Sequence, residues 1–169
     1  ILNFFKISKI IKSSKSMVVH AWMYNACALV SFIKLFCNLK LKLIWGIRCS
    51  NMKVKYYSWN LKVIIYLCKV ISTTADYIVY NSYAGLNYHS SIGFSKKFNK
   101  VIYNGIDEKK FFFSNIKRKK LKKTLGIKSD SIVIICASRV DPMKNHFNLL
   151  EAFKKVNKRN KKTVLILIG

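Results

Sequence analysis

The sequence predicts an α/β fold built on parallel sheet, and two observations carry that expectation. Short apolar runs rich in β-branched residues alternate with stretches of helical periodicity along the chain. The segment 131–169 (SIVIICASRVDPMKNHFNLLEAFKKVNKRNKKTVLILIG) reads as strand, crossover helix and strand, a length at which the two strands lie parallel in a buried sheet.

Taken in order, residues 1–16 mix Phe and Ile with Lys at roughly helical spacing and predict a basic amphipathic helix. Packing on its own domain is the preferred reading and a membrane surface the alternative; the long apolar core of a signal peptide is missing. Residues 17–22 (MVVHAW) predict a short buried strand and 24–39 an apolar helix. Together, 17–37 approach the length of a membrane span, but His20, Asn25 and Lys34 interrupt the run, so a strand feeding a buried helix is preferred. Residues 42–49 (KLIWGIRC) predict a second strand, 50–58 a polar loop and 59–72 an amphipathic helix. A third strand is expected over 76–82, a short helix over 83–92 stopped by Gly93, and a fourth strand over 100–106 with an Asn-Gly turn signal. Residues 108–130 are lysine-rich and carry no strand signal, so they predict an interdomain connector with one exposed basic helix.

In the closing unit, strands are expected over 132–137 and 164–168. Phe147, Leu150, Ala152, Phe153 and Val156 mark the apolar face of the helix between them. Ligands of parallel sheets sit at the carboxyl ends of strands. Arg139 and Lys144 fall there, beside a helix N-terminus, in a setting suited to a phosphorylated ligand.

The net charge of +26, from 32 Lys+Arg against 6 Asp+Glu, points to anionic partners: nucleic acid, acidic lipid or phosphorylated substrate. A coding bias toward lysine on solvated faces would give the same number. The six acids (Asp76, Asp107, Glu108, Asp130, Asp141, Glu151) supply neither a D-x-D metal site nor the carboxylate pair of a glycosidase. Five cysteines without C-x-x-C spacing read as reduced core residues in a cytosolic setting, and three histidines form no metal pattern. Ile1 is not an ordinary start and Gly169 ends a strand, so a piece of a longer protein is expected.

The segments A75-D76-Y77-I78-V79-Y80-N81-S82-Y83-A84-G85, then G93-F94, then V101-I102-Y103-N104-G105-I106-D107 with Phe112 resemble the middle of family-4 retaining glycosyltransferases. The R-x-x-x-x-K loop of that family is matched by Arg139 and Lys144 with Pro142 between them, and H20-A21-W22-M23-Y24-N25-A26 and W45-G46-I47-R48-C49-S50 are similar to a bacterial subgroup that acts in polysaccharide or cell-envelope sugar assembly. The resemblance implies the GT-B fold, two Rossmann-like domains facing across a cleft, here in part. Residues 1–107 would be the later part of the N-terminal acceptor domain, lacking its first strands. Residues 108–130 would be the connector, and 131–169 the first βαβ unit of the nucleotide-sugar domain.

It further implies transfer from a nucleotide-diphosphate sugar to a glycan or lipid-linked acceptor, with no metal and no cofactor beyond the donor. Arg139 and Lys144 would hold the leaving diphosphate. Asn25 falls where relatives carry a catalytic histidine, and an amide can hydrogen-bond a sugar but cannot carry a proton near neutral pH. His20 is then either a weaker catalytic candidate or a core histidine. Arg48 and Ser50 would face the acceptor, with an inter-strand structural role equally open. Ser82 and Gly85 would set a strand-to-helix turn, and Asn104, Gly105 and Asp107 the interdomain crossover, with glycine permitting an unusual backbone conformation. His146 would stand at the start of the donor-domain helix. The family's paired glutamates would lie beyond Gly169, and Glu151 does not replace them. A cytoplasmic enzyme, in peripheral contact with the acidic inner face of the membrane, is the expected setting.

A basic binding protein is the competing class, supported by the charge, the Lys117–Lys123 cluster and the aromatics Tyr56, Tyr57 and Phe111 to Phe113 as stacking platforms. Against it, the chain shows no nucleic-acid motif and spreads its lysines throughout, so nucleic acid is not the expected partner. An inactive remnant of the enzyme is the third reading.

Overall fold

The computed structural model describes residues 2–50 and 58–169. Most of the expected loop 50–58, including Tyr56 and Tyr57, lies outside the described residues. The chain divides into two compact units, Ile1–Gly105 and Ile106–Gly169. Residues 108–130, expected as a connector, therefore fall in the second unit.

The first unit runs α1 (Leu2–Ser14), β1 (Val18–Trp22), α2 (Met23–Phe36), β2 (Lys42–Ile47), α3 (Trp59–Ile71) with a 3-10 turn at Ser72–Thr74, β3 (Tyr77–Tyr80), α4 (Tyr83–Ser91) and β4 (Asn99–Val101). Its four strands are parallel in the order β1-β2-β3-β4, with Trp22 opposite Gly46, Ile47 opposite Tyr80 and Tyr80 opposite Val101. Right-handed crossovers in this order place α2, α3 and α4 on one face of the sheet. That face holds the core: Ala21, Leu43, Trp45, Ile47, Ile78 and Tyr80, packed with Tyr24, Cys27, Cys68 and Phe94. The period-two alternation of strand side chains explains why the neighbours His20 and Trp22 point the other way and are exposed. His20 is thus not the core histidine that an apolar strand invites.

Asp76 ties the amino end of this sheet together. Its carboxylate accepts from the Leu43 amide at 2.8 Å and pairs with Lys34 at 2.7 Å and Lys42 at 3.2 Å. Helix α1 packs on α2 through Phe4 against Phe36 and through Ser8, whose hydroxyl lies 3.2 Å from the Cys37 thiol. Among the described residues no helix is long and apolar enough to cross a membrane. All five cysteines are free, and only Cys27 and Cys68 are buried.

Strand β4 covers three residues where seven were expected. It borders only β3 among the described residues, and Ile102, Tyr103 and Ile106 beyond it are exposed. The left-handed glycines are Gly93 and Gly126. Gly105 is not among them and has open space around its Cα, so it does not carry the backbone conformation expected of it.

The second unit contains α5 (Asn115–Thr124), β5 (Ile132–Ala137), a 3-10 turn at Pro142–Lys144, α6 (His146–Arg159) and β6 (Thr163–Ile168). Strands β5 and β6 are parallel, Ile132 opposite Thr163 through Ala137 opposite Ile168. Ser114 caps α5, and Gly126 ends it in the left-handed region, with the Ile127 amide returning to the Lys122 carbonyl at 2.8 Å. Lys122 is buried and donates to the carbonyls of Ser129 and Ser131 at 2.8 and 2.6 Å, fixing α5 to the entry of β5. Neither strand is buried as its apolar run predicts: Ile132, Ile135, Leu167 and Ile168 are exposed, because two strands and one crossover helix leave much of each sheet face open. On α6, Leu149, Phe153 and Asn157 turn inward, whereas Phe147, Leu150 and Val156 face out.

Candidate functional site

In the first unit, the residues singled out by sequence gather at the carboxyl end of the parallel sheet. Strand β1 ends at Trp22, and Met23 then takes a left-handed turn (φ 66) that starts α2 at once. This places Asn25 in the first turn of α2, exposed at the mouth of the sheet. A positive φ is uncommon at methionine, and it sets the direction in which α2 leaves β1.

Beside it, β2 delivers Arg48, Cys49 and Ser50. The Arg48 guanidinium stands 4.9 Å from the centre of the Trp22 ring and donates through Nη2 to the Asn104 side-chain carbonyl. The Arg48 backbone carbonyl accepts from the Asn81 side chain at 3.4 Å. His20 lies 4.8 Å from Trp22, ring to ring, and its pKa is held below the ordinary value by partial burial of the ring and then by the Arg48 charge. Gly46 makes this possible: a Cβ there would come within 2.9 Å of His20 Nε2 and 3.4 Å of Trp22. Arg48 therefore has a tertiary role through Asn104 and still presents its charge at the strand ends.

Ser82 and Gly85 lie where β3 turns into α4. The Ser82 hydroxyl caps α4 by accepting from the Gly85 amide at 3.1 Å. A Cβ on Gly85 would sit 3.0 Å from the Cys49 carbonyl, so glycine lets α4 approach the loop after β2. Ser50 is exposed three residues after β2.

Trp22 and Asn81 are members of this group that the sequence reading quoted within its motifs but gave no role. Their signal was membership of the quoted motifs, H20-A21-W22 and Y80-N81-S82. A buried set was missed as well. His89 is fully buried, with Nδ1 2.7 Å from the Gly85 carbonyl and Nε2 2.7 Å from the Tyr24 hydroxyl, which lies 3.2 Å from Cys49 Sγ. Burial lowers the His89 pKa, against a small opposing effect of the Gly85 bond, and raises that of Tyr24.

In the second unit, Arg139 and Lys144 occupy the loop leaving β5, both exposed. Asp141 shapes that loop by accepting from the Met143 amide at 2.9 Å, and the Lys144 amide donates to the Asp141 carbonyl at 2.9 Å. Asn145 then adopts a left-handed conformation (φ 52) and α6 begins at His146, whose Nε2 lies 3.2 Å from the Ser138 hydroxyl. Gly169 meets the loop from β6: a Cβ there would clash with the Ser138 carbonyl. Asp107 caps a turn by accepting from the Lys109 and Lys110 amides at 3.0 and 3.2 Å. Among the described residues, no three of His, Cys, Asp and Glu gather as a metal site would require.

Residues 117–169 match the family model described as Glycosyl transferases group 1. A Klebsiella pneumoniae protein, described as an uncharacterized 41.2 kDa protein in a cps region, is 28% identical over 156 residues, 89% of this chain and 42% of that protein. Among solved structures, Anabaena HepE in complex with UDP and glucose superposes with a TM-score of 0.78 at 21% identity, over 97% of this chain and 42% of that one. Sucrose-phosphate synthase from Thermosynechococcus elongatus gives a TM-score of 0.75 at 15% identity, over 98% and 41%. The chain thus spans about two fifths of the length of these proteins. At such identities the structural likeness establishes fold, and the fold is α/β with parallel sheets, a partial GT-B.

Proposed function

We propose that the chain is part of a glycosyltransferase that moves a sugar from a nucleotide-diphosphate donor to a glycan or lipid-linked acceptor. Transfer proceeds with retention at the anomeric carbon and without a metal ion. The observation that carries this reading is the loop after β5: Arg139 and Lys144 stand at the carboxyl end of a parallel strand, inside the segment that matches the glycosyltransferase family model. Breaking the bond to the sugar leaves negative charge on the diphosphate. A planar guanidinium and a compact ammonium fixed at the strand end would stabilise that charge as it develops. The complex of HepE with UDP and glucose supports a nucleotide-sugar donor.

The metal-free reading is supported by what the carboxylates do. Four of the six are engaged: Asp76 by two lysines, Asp130 by Lys162, and Asp107 and Asp141 in capping turns. On the acceptor side, Arg48 over Trp22 suits a sugar bearing a phosphate or pyrophosphate, with Ser50 and Asn25 as hydrogen-bonding groups. The family resemblance puts Asn25 where a histidine is expected, and an amide there would orient hydroxyls and transfer no proton. The cps-region relative supports a place in surface-polysaccharide synthesis. The setting is cytoplasmic, with the basic surface against the acidic inner face of the membrane.

The test is transfer or hydrolysis by the full-length protein across a panel of nucleotide sugars, with lipid-pyrophosphate-linked monosaccharides as acceptors. Arg139→Ala and Lys144→Ala should each lower kcat/KM by roughly 2 kcal/mol or more in transition-state stabilisation. Unchanged kinetics in both variants would remove the donor assignment, and a flat response of the wild type would sink the transferase reading.

A further inference from the structure

We infer that His89, acting through Tyr24, is the positioning residue of the acceptor-side site, an assignment that rests on the transferase reading above. Three segments carry the candidate residues of the first unit: the start of α2 with Asn25, the loop after β2 with Arg48 and Ser50, and the first turn of α4 with Ser82 and Gly85. One buried hydrogen-bond chain joins all three. Its direction follows from donor chemistry. The Gly85 carbonyl can only accept, so His89 Nδ1 carries the proton and contacts it at 2.7 Å. The ring is neutral, since burial lowers its pKa, and Nε2 therefore accepts from the Tyr24 hydroxyl at 2.7 Å. The Tyr24 oxygen is then left to accept from the Cys49 thiol at 3.2 Å.

Each of the three segments joins this chain within three residues of a candidate site residue. Tyr24 precedes Asn25, Cys49 separates Arg48 from Ser50, and Gly85 donates its amide to Ser82 at 3.1 Å. The bonds of His89 to Tyr24 and Gly85 are buried away from water. His89 is fully buried, with the rings of Tyr88, Phe94, Tyr80 and Tyr24 centred 4.9 to 5.8 Å from its own. A hydrogen bond in such surroundings is strong, and an unmade one is costly, so the three segments are held in one arrangement. Gly85 adds a steric stop, because its Cα sits against the Cys49 carbonyl with no room for a side chain. His89 touches no surface and meets no substrate. Its part is to set the distance between Asn25, Arg48, Ser50 and Ser82.

The experiment uses the full-length protein and the variants Tyr24→Phe, His89→Phe and His89→Gln. The glutamine amide can donate to Gly85 and accept from Tyr24, so it serves as the conservative rescue. Hydrogen–deuterium exchange should speed at least fivefold over residues 48–50 and 82–86 in Tyr24→Phe and His89→Phe, with the β2 amides unchanged and His89→Gln close to wild type. With the acceptor that the wild type uses, the acceptor KM should rise at least fivefold and the donor KM should stay within twofold. Exchange that rises across the whole unit, or not at all, overturns the assignment. So does local loosening that leaves the acceptor KM unmoved. Should His89→Phe fail to fold, Tyr24→Phe decides alone, since it removes one hydroxyl. Local loosening in the variants, with a wild type inert toward every nucleotide sugar, would overturn the transferase reading and uphold the coupling of the three segments.

Discussion

Asp76 shows how one side chain can set the alignment of a sheet. Its carboxylate is partly buried, which by itself raises the pKa, but Lys34, the Leu43 amide and Lys42 outweigh that cost and bring it to about 2. The folded value lies below the unfolded value of 3.8, so this contribution is complete above pH 3.8 and is lost as pH falls toward 2. With solvent screening it amounts to about 1 kcal/mol. Asp76→Asn should lower stability at pH 7 by about that amount and flatten the dependence of the urea midpoint on pH below 4. A midpoint that tracks the wild type through this range would refute the role. His89 acts in a higher window. Its folded value lies below 6.5, so its neutral ring costs nothing above that pH, and stability erodes as pH drops beneath it. The exposed Arg139 and Lys144 differ from both in standing at the surface of their loop.

At the scale of elements, helix starts decide where the candidate residues point. Helix α4 begins because Ser82 takes the Gly85 amide, and α2 begins because Met23 turns the chain in the left-handed region. Ser82→Ala should cost about 1 kcal/mol of stability in urea and fray the first turn of α4; an unchanged midpoint would mean that the Gly85 contact alone holds the turn. Strands and helices were legible because their periodicities are local. The strand over Ile132–Ala137 coincides with its apolar run, and Gly93 stops α4 where glycine is free to adopt positive φ. Burial was less legible, since it depends on what lies opposite. His20 sits in an apolar run yet faces outward, and Phe147 follows the helical period of α6 on the wrong side. The grouping at the strand ends could be read from order alone. The His89–Tyr24–Cys49 chain could not, because 65 residues separate the partners of its central bond.

At the scale of the whole chain, the two units are built unequally. Every buried hydrophobic side chain among the described residues lies in the first unit, whereas the second buries Lys122, Ser131 and Thr163. Amides of β2 and β3 should therefore resist hydrogen exchange far longer than those of β5 and β6 in this chain; equal protection would show that the second unit has a core of its own. The basic surface, net +26, adds repulsion that salt should relieve in both units. The sheet order β1-β2-β3-β4 has a further consequence, for assembly. Each strand pairs with the one made just before it, so loop closure never spans more than a single crossover. Parallel sheets fold slowly when their pairings are distant in sequence, and this one keeps them as near as parallel pairing allows. The first unit can therefore be laid down in one direction as the chain leaves the ribosome, each new helix sealing the strand behind it.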